Sequence, residues 1–432
     1  MKGRLNLFQK SMLRWRELYP YSAVHVVRID RPLDASRLTA VIDEWLQALG
    51  LTGLTLDAVR GRFEYVGGPA HTTLAVHPGG DDSMKILAAA IESELNTPFV
   101  REGRLNPFRF FAIDAGNSFH FGLAYDHFVA AGDSIVVLLK GIFERYCGNV
   151  SGQDLAGPLE RYPATYRSLF RRHLWSTLRG FGGLVNLVAS CRRSVRPVYP
   201  RGTDPRNGYT YCQLDPPQFA ALVRTAKDWG VTVNDVLLAM LLKVVEPLAG
   251  ARAPSRRRHE LAVATIVNLR RDFGFDANTT FGQFLSSFRI SHPMPPGMTL
   301  RELARDINAV TKRVKSLKLY LQTLLAIGAS GIRWRSLSPD ERRGFHARNY
   351  PTWGGLTMLN VDALWAHAGG NTPPPEYLRA VSTGPLAPLV LAVTTAGGVL
   401  HAGISYRIAA FDAATANGIA AGLVACAGSF DS

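Results

Sequence analysis

The run Phe119-His-Phe-Gly-Leu-Ala-Tyr125 passes through Asp126 and His127 into small residues as far as Gly132. From there it enters a second apolar run, Ile135 to Leu139. A short continuous apolar stretch, a small-residue turn and a longer apolar stretch predict a buried strand, a tight turn and a helix. Asp133 and Ser134 stand where the first turn of that helix would begin. A histidine at the end of such a strand, on a turn whose small residues permit close backbone approach, is where a general base would be held. The same pattern also describes a plain turn with a solvated histidine, so the rest of the chain must decide.

The chain has 432 residues, 47% of them hydrophobic and 19% charged. That length predicts two or three domains. No stretch of about 18 apolar residues occurs, and the residues after Met1 lack the apolar core of a secretory signal. Cys147, Cys191, Cys212 and Cys426 are scattered without metal-ligand or disulfide spacing. A cytoplasmic, monomeric protein with free thiols is the expectation. The net charge of +15 favours an acidic partner: a phosphate-bearing cofactor, an acidic carrier protein or an anionic surface. Part of the excess lies in Arg167, Arg171, Arg172, Arg179, Arg192 and Arg193, and part in Arg256-Arg-Arg258. Neither cluster is interleaved with a nucleic-acid motif, so nucleic-acid binding is not expected.

Along the chain, residues 23–29 predict a strand, and Asp34 caps a helix with Leu38, Ile42, Trp45 and Leu49 on one face. A strand over 62–66, a helix over 84–95 and a hairpin turning at Asp114–Asn117 lead into the strand–turn–helix unit. Residues 148–164 read as a surface connection. In the basic segment 165–193, Phe170, Leu174, Leu178 and Phe181 are spaced for one helical face. The expectation is a helix that packs this face on its own protein; a helix lying on a membrane surface is the other reading. A Pro/Gly-rich linker over 197–207 divides a first lobe, 1–196, from a second, 208–432. The second lobe has a similar order: a strand from Tyr209, a helix from Pro216, an apolar helix capped by Thr232, and strands near 261–267, 356–361, 377–381, 388–394 and 399–406. An α/β (α+β) fold of two layered lobes with a cleft between them follows.

With these elements in order, the chain resembles the condensation-like, CoA-dependent acyltransferases, which share the chloramphenicol acetyltransferase fold. Their HHxxxDG signature lies at a strand end, where Asp126-His127-Phe-Val-Ala-Ala131-Gly132 stands. Pro32-Leu-Asp34, Asn106-Pro-Phe-Arg109, Thr232-Val-Asn-Asp235, Asn268-Leu-Arg270 and Thr280-Phe-Gly-Gln-Phe284 are similar to family segments in the same order. The resemblance implies two chloramphenicol acetyltransferase-like lobes in a V-shaped pseudo-dimer with a central cleft or tunnel. It implies His127 as the general base. It also implies an acyl-CoA or phosphopantetheinyl carrier-protein thioester as donor, a hydroxyl- or amine-bearing acceptor, and no tightly bound cofactor or metal.

Two positions depart from the signature: Asp126 replaces its first histidine and Ala131 its aspartate. The family aspartate shapes the loop through an ion pair, which Ala131 cannot make. Asp133, two residues on, can serve in its place only in part because it is displaced along the chain, and Arg270 would then need a different partner or water. Asp126 with Ser134 is similar to heterocyclisation domains, a pattern that Ala131 also breaks. Arg271-Asp-Phe-Gly-Phe275 superficially resembles a plant acyltransferase motif, but at the wrong place, and reads as a turn. Asn360 and Ser382 are further cleft candidates by resemblance, each with a structural role as the alternative. His25, His346 and His401 show no evident partners. An acyltransferase is one functional reading; a scaffold that binds carrier proteins or other enzymes is the other.

Overall fold

The computed structural model describes residues 2–148, 166–250, 257–275, 280–367 and 374–430. The connection expected beyond Gly148 and the basic residue Arg256 lie outside them. The strand–turn–helix unit is present as a strand, Phe119–Asp126, and a helix, Gly132–Cys147. Every residue of that strand is buried, as its unbroken apolar run requires. It lies at the centre of a five-stranded sheet, in the order Tyr377–Val381, Ser22–Ile29, Phe119–Asp126, Phe108–Asp114, Leu74–Pro78. The hairpin and the first amphipathic helix are where the pattern put them. Asp34 caps the helix Ala35–Ala48, and Leu38, Ile42, Trp45 and Leu46 are its buried residues.

A six-stranded sheet runs Leu285–His292, Leu261–Asn268, Gly354–Asn360, Leu389–Ala396, Val399–Arg407, Asn207–Leu214. The helix Val233–Gly250 backs it and begins at a buried carboxylate. Asp235 accepts from the Thr232 amide at 3.0 Å, from Asn308 Nδ2 at 2.6 Å and from the Thr311 hydroxyl at 2.8 Å. Those three donors satisfy an acid that would otherwise be costly to bury.

The two sheets are not separated by the linker. Strand Tyr377–Val381 comes from the second half of the sequence but pairs antiparallel with Ser22–Ile29 of the first. This crossing passes close over the second sheet at Gly403, where a Cβ would stand 1.9 Å from the Arg379 carbonyl oxygen. No other residue fits there.

The basic segment forms the helices Arg167–Arg172 and Leu174–Arg193; of the face expected to pack, Phe170 does so and the rest is turned outward. Leu174, Leu178 and Phe181 are each more than half exposed. The buried residues are Thr177, Gly180 and Cys191. Gly180 and Gly183 face the helix Leu321–Trp334, whose Gln322 donates to the Gly183 carbonyl at 2.6 Å. All four cysteines are free. Among the described residues no helix is long and apolar enough to cross a membrane.

Candidate active site

A cavity of about 510 Å³ lies where the two halves meet, lined by residues of both. His127 is on its wall, together with Tyr21, Tyr125, Gly132, Asn268 and Arg379. The His127 amide and carbonyl are held by the Tyr21 carbonyl, at 3.4 Å, and by Gln283 Nε2, at 3.0 Å. Tyr21 and Tyr125 pack on the imidazole with ring centroids 5.6 and 5.7 Å away. Burial lowers the His127 pKa to about 4; the Ala130 carbonyl opposes this and the Arg379 cation adds to it. The ring is therefore neutral at physiological pH. Nδ1 is buried and, among the described residues, has no hydrogen-bond partner in ordinary geometry; the Ala130 carbonyl is near and acts on the ring.

The loop that carries His127 is braced although Ala131 stands at the aspartate position of the signature, and Asp133 is the substitute. Asp133 forms a buried ion pair with Arg270 Nη1 and accepts from Asn268 Nδ2 at 2.6 Å. Arg270 Nη2 donates to the Ser134 hydroxyl at 2.6 Å and to the Gly282 carbonyl at 3.1 Å. The Ser134 hydroxyl in turn accepts from the Gly282 amide at 3.1 Å. Asp133, Ser134 and Arg270 thus form one latch between the first helical turn and the segment around Gly282. Ala131 is the N-cap, with extended backbone, and its amide donates to the Gly282 carbonyl at 3.0 Å. The carboxylate has moved two residues along the chain, and the long Arg270 side chain reaches it.

Asp126 points away from this latch. It pairs with Arg16, at the C-terminal end of the helix Leu7–Trp15. Burial pushes its carboxyl pKa up against the pull of that guanidinium. The same helix supplies Phe8, Met12 and Trp15 to the cavity wall. Its capping box, in which Asn6 and Gln9 exchange hydrogen bonds, is the sequence signal for a helix that the apolar pattern did not reveal.

Ser382 is on the cavity wall, but its hydroxyl accepts from the Ser22 amide at 3.2 Å and donates to the Leu95 carbonyl at 3.3 Å. Asn360 is exposed and caps the next helix by accepting from the Ala363 amide at 3.0 Å. Its side chain is not part of the cavity lining. His25, expected to lack partners, has Nδ1 2.6 Å from the Tyr377 hydroxyl and Nε2 3.4 Å from that of Tyr125. Asp272, in the plant-like segment, accepts from the Tyr320 hydroxyl at 2.7 Å and pairs with Lys318; Gly274 then ends a short helix with φ 77°.

Arg379, on the crossing strand, was not singled out by any motif. It is buried, and Nη2 donates to the carbonyls of Thr357 and Val393, both at 2.9 Å. Nε donates to the Thr394 hydroxyl at 3.3 Å. Among the described residues it has no carboxylate partner within salt-bridge distance. Burial lowers its pKa, and Tyr125, Tyr377 and Asp133 oppose that from further away. Nη1 points at Gly132: a Cβ there would lie 2.9 Å from it. A lone arginine in the apolar run Tyr377-Leu-Arg-Ala-Val381 was the only sequence signal for it, and such a signal is weak.

No family model matches the chain, and no curated protein matches it in sequence. Solved structures do match. The condensation domain from the Monacolin K polyketide synthase MokA superposes with a TM-score of 0.69 at 14% identity, covering 100% of this chain and 97% of that one. The fold is that of the condensation domains. The first condensation domain of the calcium-dependent antibiotic synthetase, in complex with a substrate analogue, gives a TM-score of 0.70 at 13% identity over 99% and 97% of the two chains. The X-domain from teicoplanin biosynthesis, solved in complex with OxyB, gives 0.59 at 16% identity over 99% and 92%.

Proposed function

We propose that the chain is an acyltransferase that moves an acyl group from a thioester to a hydroxyl or amine, with His127 as general base. The observation that carries this is a neutral imidazole at a strand end, on the wall of a cavity shared by the two halves of a condensation-domain fold. With Nδ1 buried against protein, Nε2 is the nitrogen left to take a proton from an acceptor. The acceptor oxygen or nitrogen would attack the thioester carbonyl as its proton passes to His127. The resulting imidazolium would return that proton to the departing thiolate of CoA or a phosphopantetheinyl arm, leaving an ester or amide. Arg379 Nη1 is a fixed cation beside this site, suited to the negative charge that develops on the carbonyl oxygen. Holding donor and acceptor in one cavity supplies the remaining advantage, because a bimolecular encounter becomes an intramolecular one.

The test is single-turnover transfer from a panel of acyl-CoA and acyl-carrier-protein thioesters, with parent and His127→Ala protein. The expected result is loss of transfer by about a hundredfold or more, the range of a removed general base, with the melting temperature retained. Unchanged transfer in the variant would remove His127 from the mechanism.

A second reading is a scaffold that recruits other proteins. It is favoured by the likeness to the X-domain solved with OxyB and by His127 Nδ1, which among the described residues has no carboxylate or other side chain bonded to it. Carrier-protein association with no product from any thioester would support it.

A further inference from the structure

The helix Leu174–Arg193 has two apolar faces. Leu184, Leu187 and Cys191 line the cavity, and Val188, which also touches it but is half exposed, stands at the edge between the two faces. Outward, Leu174, Trp175, Leu178, Phe181, Val185 and Val188 are between 50% and 79% exposed. Spacings of three and four residues place five of these on one stripe, with Trp175 beside it. From Leu174 to Val188 the stripe runs about 21 Å along the helix axis, at 1.5 Å per residue. Six of the fourteen large hydrophobic side chains that are exposed among the described residues fall on this one helix. Soluble surfaces seldom carry such a concentration without a use.

Charge indicates what covers it. The segment 166–196 contains seven arginines and no aspartate or glutamate. Arg171 stands just before the stripe, Arg179 beside it and Arg192 at its end; all three are exposed. None of these three forms an ion pair among the described residues. A second copy of a chain with net charge +15 would bring arginine onto arginine. A small acidic protein would match the arginines, but not a long stripe that includes an indole and a phenyl ring. An anionic bilayer surface matches both: apolar side chains enter the acyl boundary, tryptophan sits at the headgroup level, and arginines meet phosphate.

We propose that this helix docks the protein on an anionic lipid surface through its outward stripe, with its inner side forming a wall of the cavity. The docking does not depend on catalysis by His127. It places that cavity wall at the bilayer, where a hydrophobic acyl donor or acceptor would be found.

Vesicle sedimentation tests this without any acyl substrate. Full-length protein is mixed with vesicles of phosphatidylcholine alone or with phosphatidylglycerol. Binding is expected to the anionic vesicles, to weaken with salt, and to be weak with phosphatidylcholine alone. The exposed double variant Trp175→Ser/Phe181→Ser should lose the anionic binding, and Arg179→Gln/Arg192→Gln should weaken it by about thirtyfold. The melting temperatures should be unchanged in both. His127→Ala should bind as the parent does, so failure here is separable from failure of the catalytic reading. No sedimentation with anionic vesicles at low salt would overturn the proposal, as would equal binding by parent and apolar variant. So would a dimer, or a carrier-protein complex, that Trp175→Ser/Phe181→Ser abolishes while vesicle binding persists.

Discussion

Asp133 and Arg270 hold the loop that presents His127, and the energy of that hold can be measured by a double-mutant cycle. Both side chains are 3% exposed, so their pairing is little screened by water or salt. Removing one partner leaves a buried charge without compensation, which costs about 3–5 kcal/mol. In Asp133→Ala, Arg270 keeps its bonds to the Ser134 hydroxyl and Gly282 carbonyl but loses its counter-ion, and Asn268 Nδ2 loses its acceptor. In Arg270→Met, Asp133 keeps Asn268 and the Ser134 amide at 3.0 Å, but loses its counter-ion. The double variant removes both charges and should cost little more than one single change. The coupling, the difference between the double and the summed singles, is then a little less than the cost of one single change, about 2–4 kcal/mol. Urea unfolding of the four proteins, followed by tryptophan fluorescence, gives the four free energies. Single changes costing under about 1 kcal/mol, or costs that add to within about 0.5 kcal/mol, would refute the latch.

Gly132→Ala should displace the Arg379 guanidinium, since its Cβ would stand 2.9 Å from Nη1, and cost about 1–3 kcal/mol in a thermal or urea melt. Arg379→Met keeps the side-chain stem and removes the cation, so transfer should fall by about a hundredfold in kcat/KM if Nη1 meets the developing oxyanion. Asp235→Ala leaves Asn308 Nδ2 and the Thr311 hydroxyl facing a lost acceptor and should cost about 2–4 kcal/mol in urea, without affecting the salt dependence of vesicle binding. The pH response follows from His120, His127, His346 and His401, whose pKa values burial lowers to about 4 from 6.5. Between those values the unfolded chain binds protons that the native chain does not, so the stability these rings contribute is complete above pH 6.5 and is lost as pH falls toward 4. Melting temperatures at pH 7.5 and 5 check this, and the acid limb of transfer activity should lie near pH 4.

Two features of the site show where reading along a chain stops being reading in space. The strand, turn and helix around His127 were legible because each is dictated by local apolar periodicity, and their burial agrees. The brace was not. Residue 131 is still extended while residue 133 is already in the first helical turn, so counting along the motif compares positions on opposite sides of a conformational boundary. Nothing in a count of residues reveals that a four-carbon-long arginine spans the difference.

The basic helix failed for a related reason. Its apolar residues repeat on two stripes, one of Leu174, Leu178, Phe181 and Val185, the other of Thr177, Leu184, Leu187 and Cys191. Hydrophobicity alone selects the first for burial, because its side chains are larger. Space selects the second: Gln322 reaches the Gly183 carbonyl at 2.6 Å, an approach that the small residues Thr177, Gly180 and Gly183 permit and that leucine or phenylalanine would block. Where a helix packs by its smaller face, the large apolar residues turned to water need their own explanation. Seven arginines unrelieved by any acid in the same segment point that explanation toward an anionic surface. The outward stripe and the cavity are therefore two consequences of one packing choice. A change that swapped the faces, such as Gly180→Leu, should weaken vesicle binding and disturb the cavity wall together. Loss of one without the other, read by sedimentation and by single-turnover transfer, would separate them.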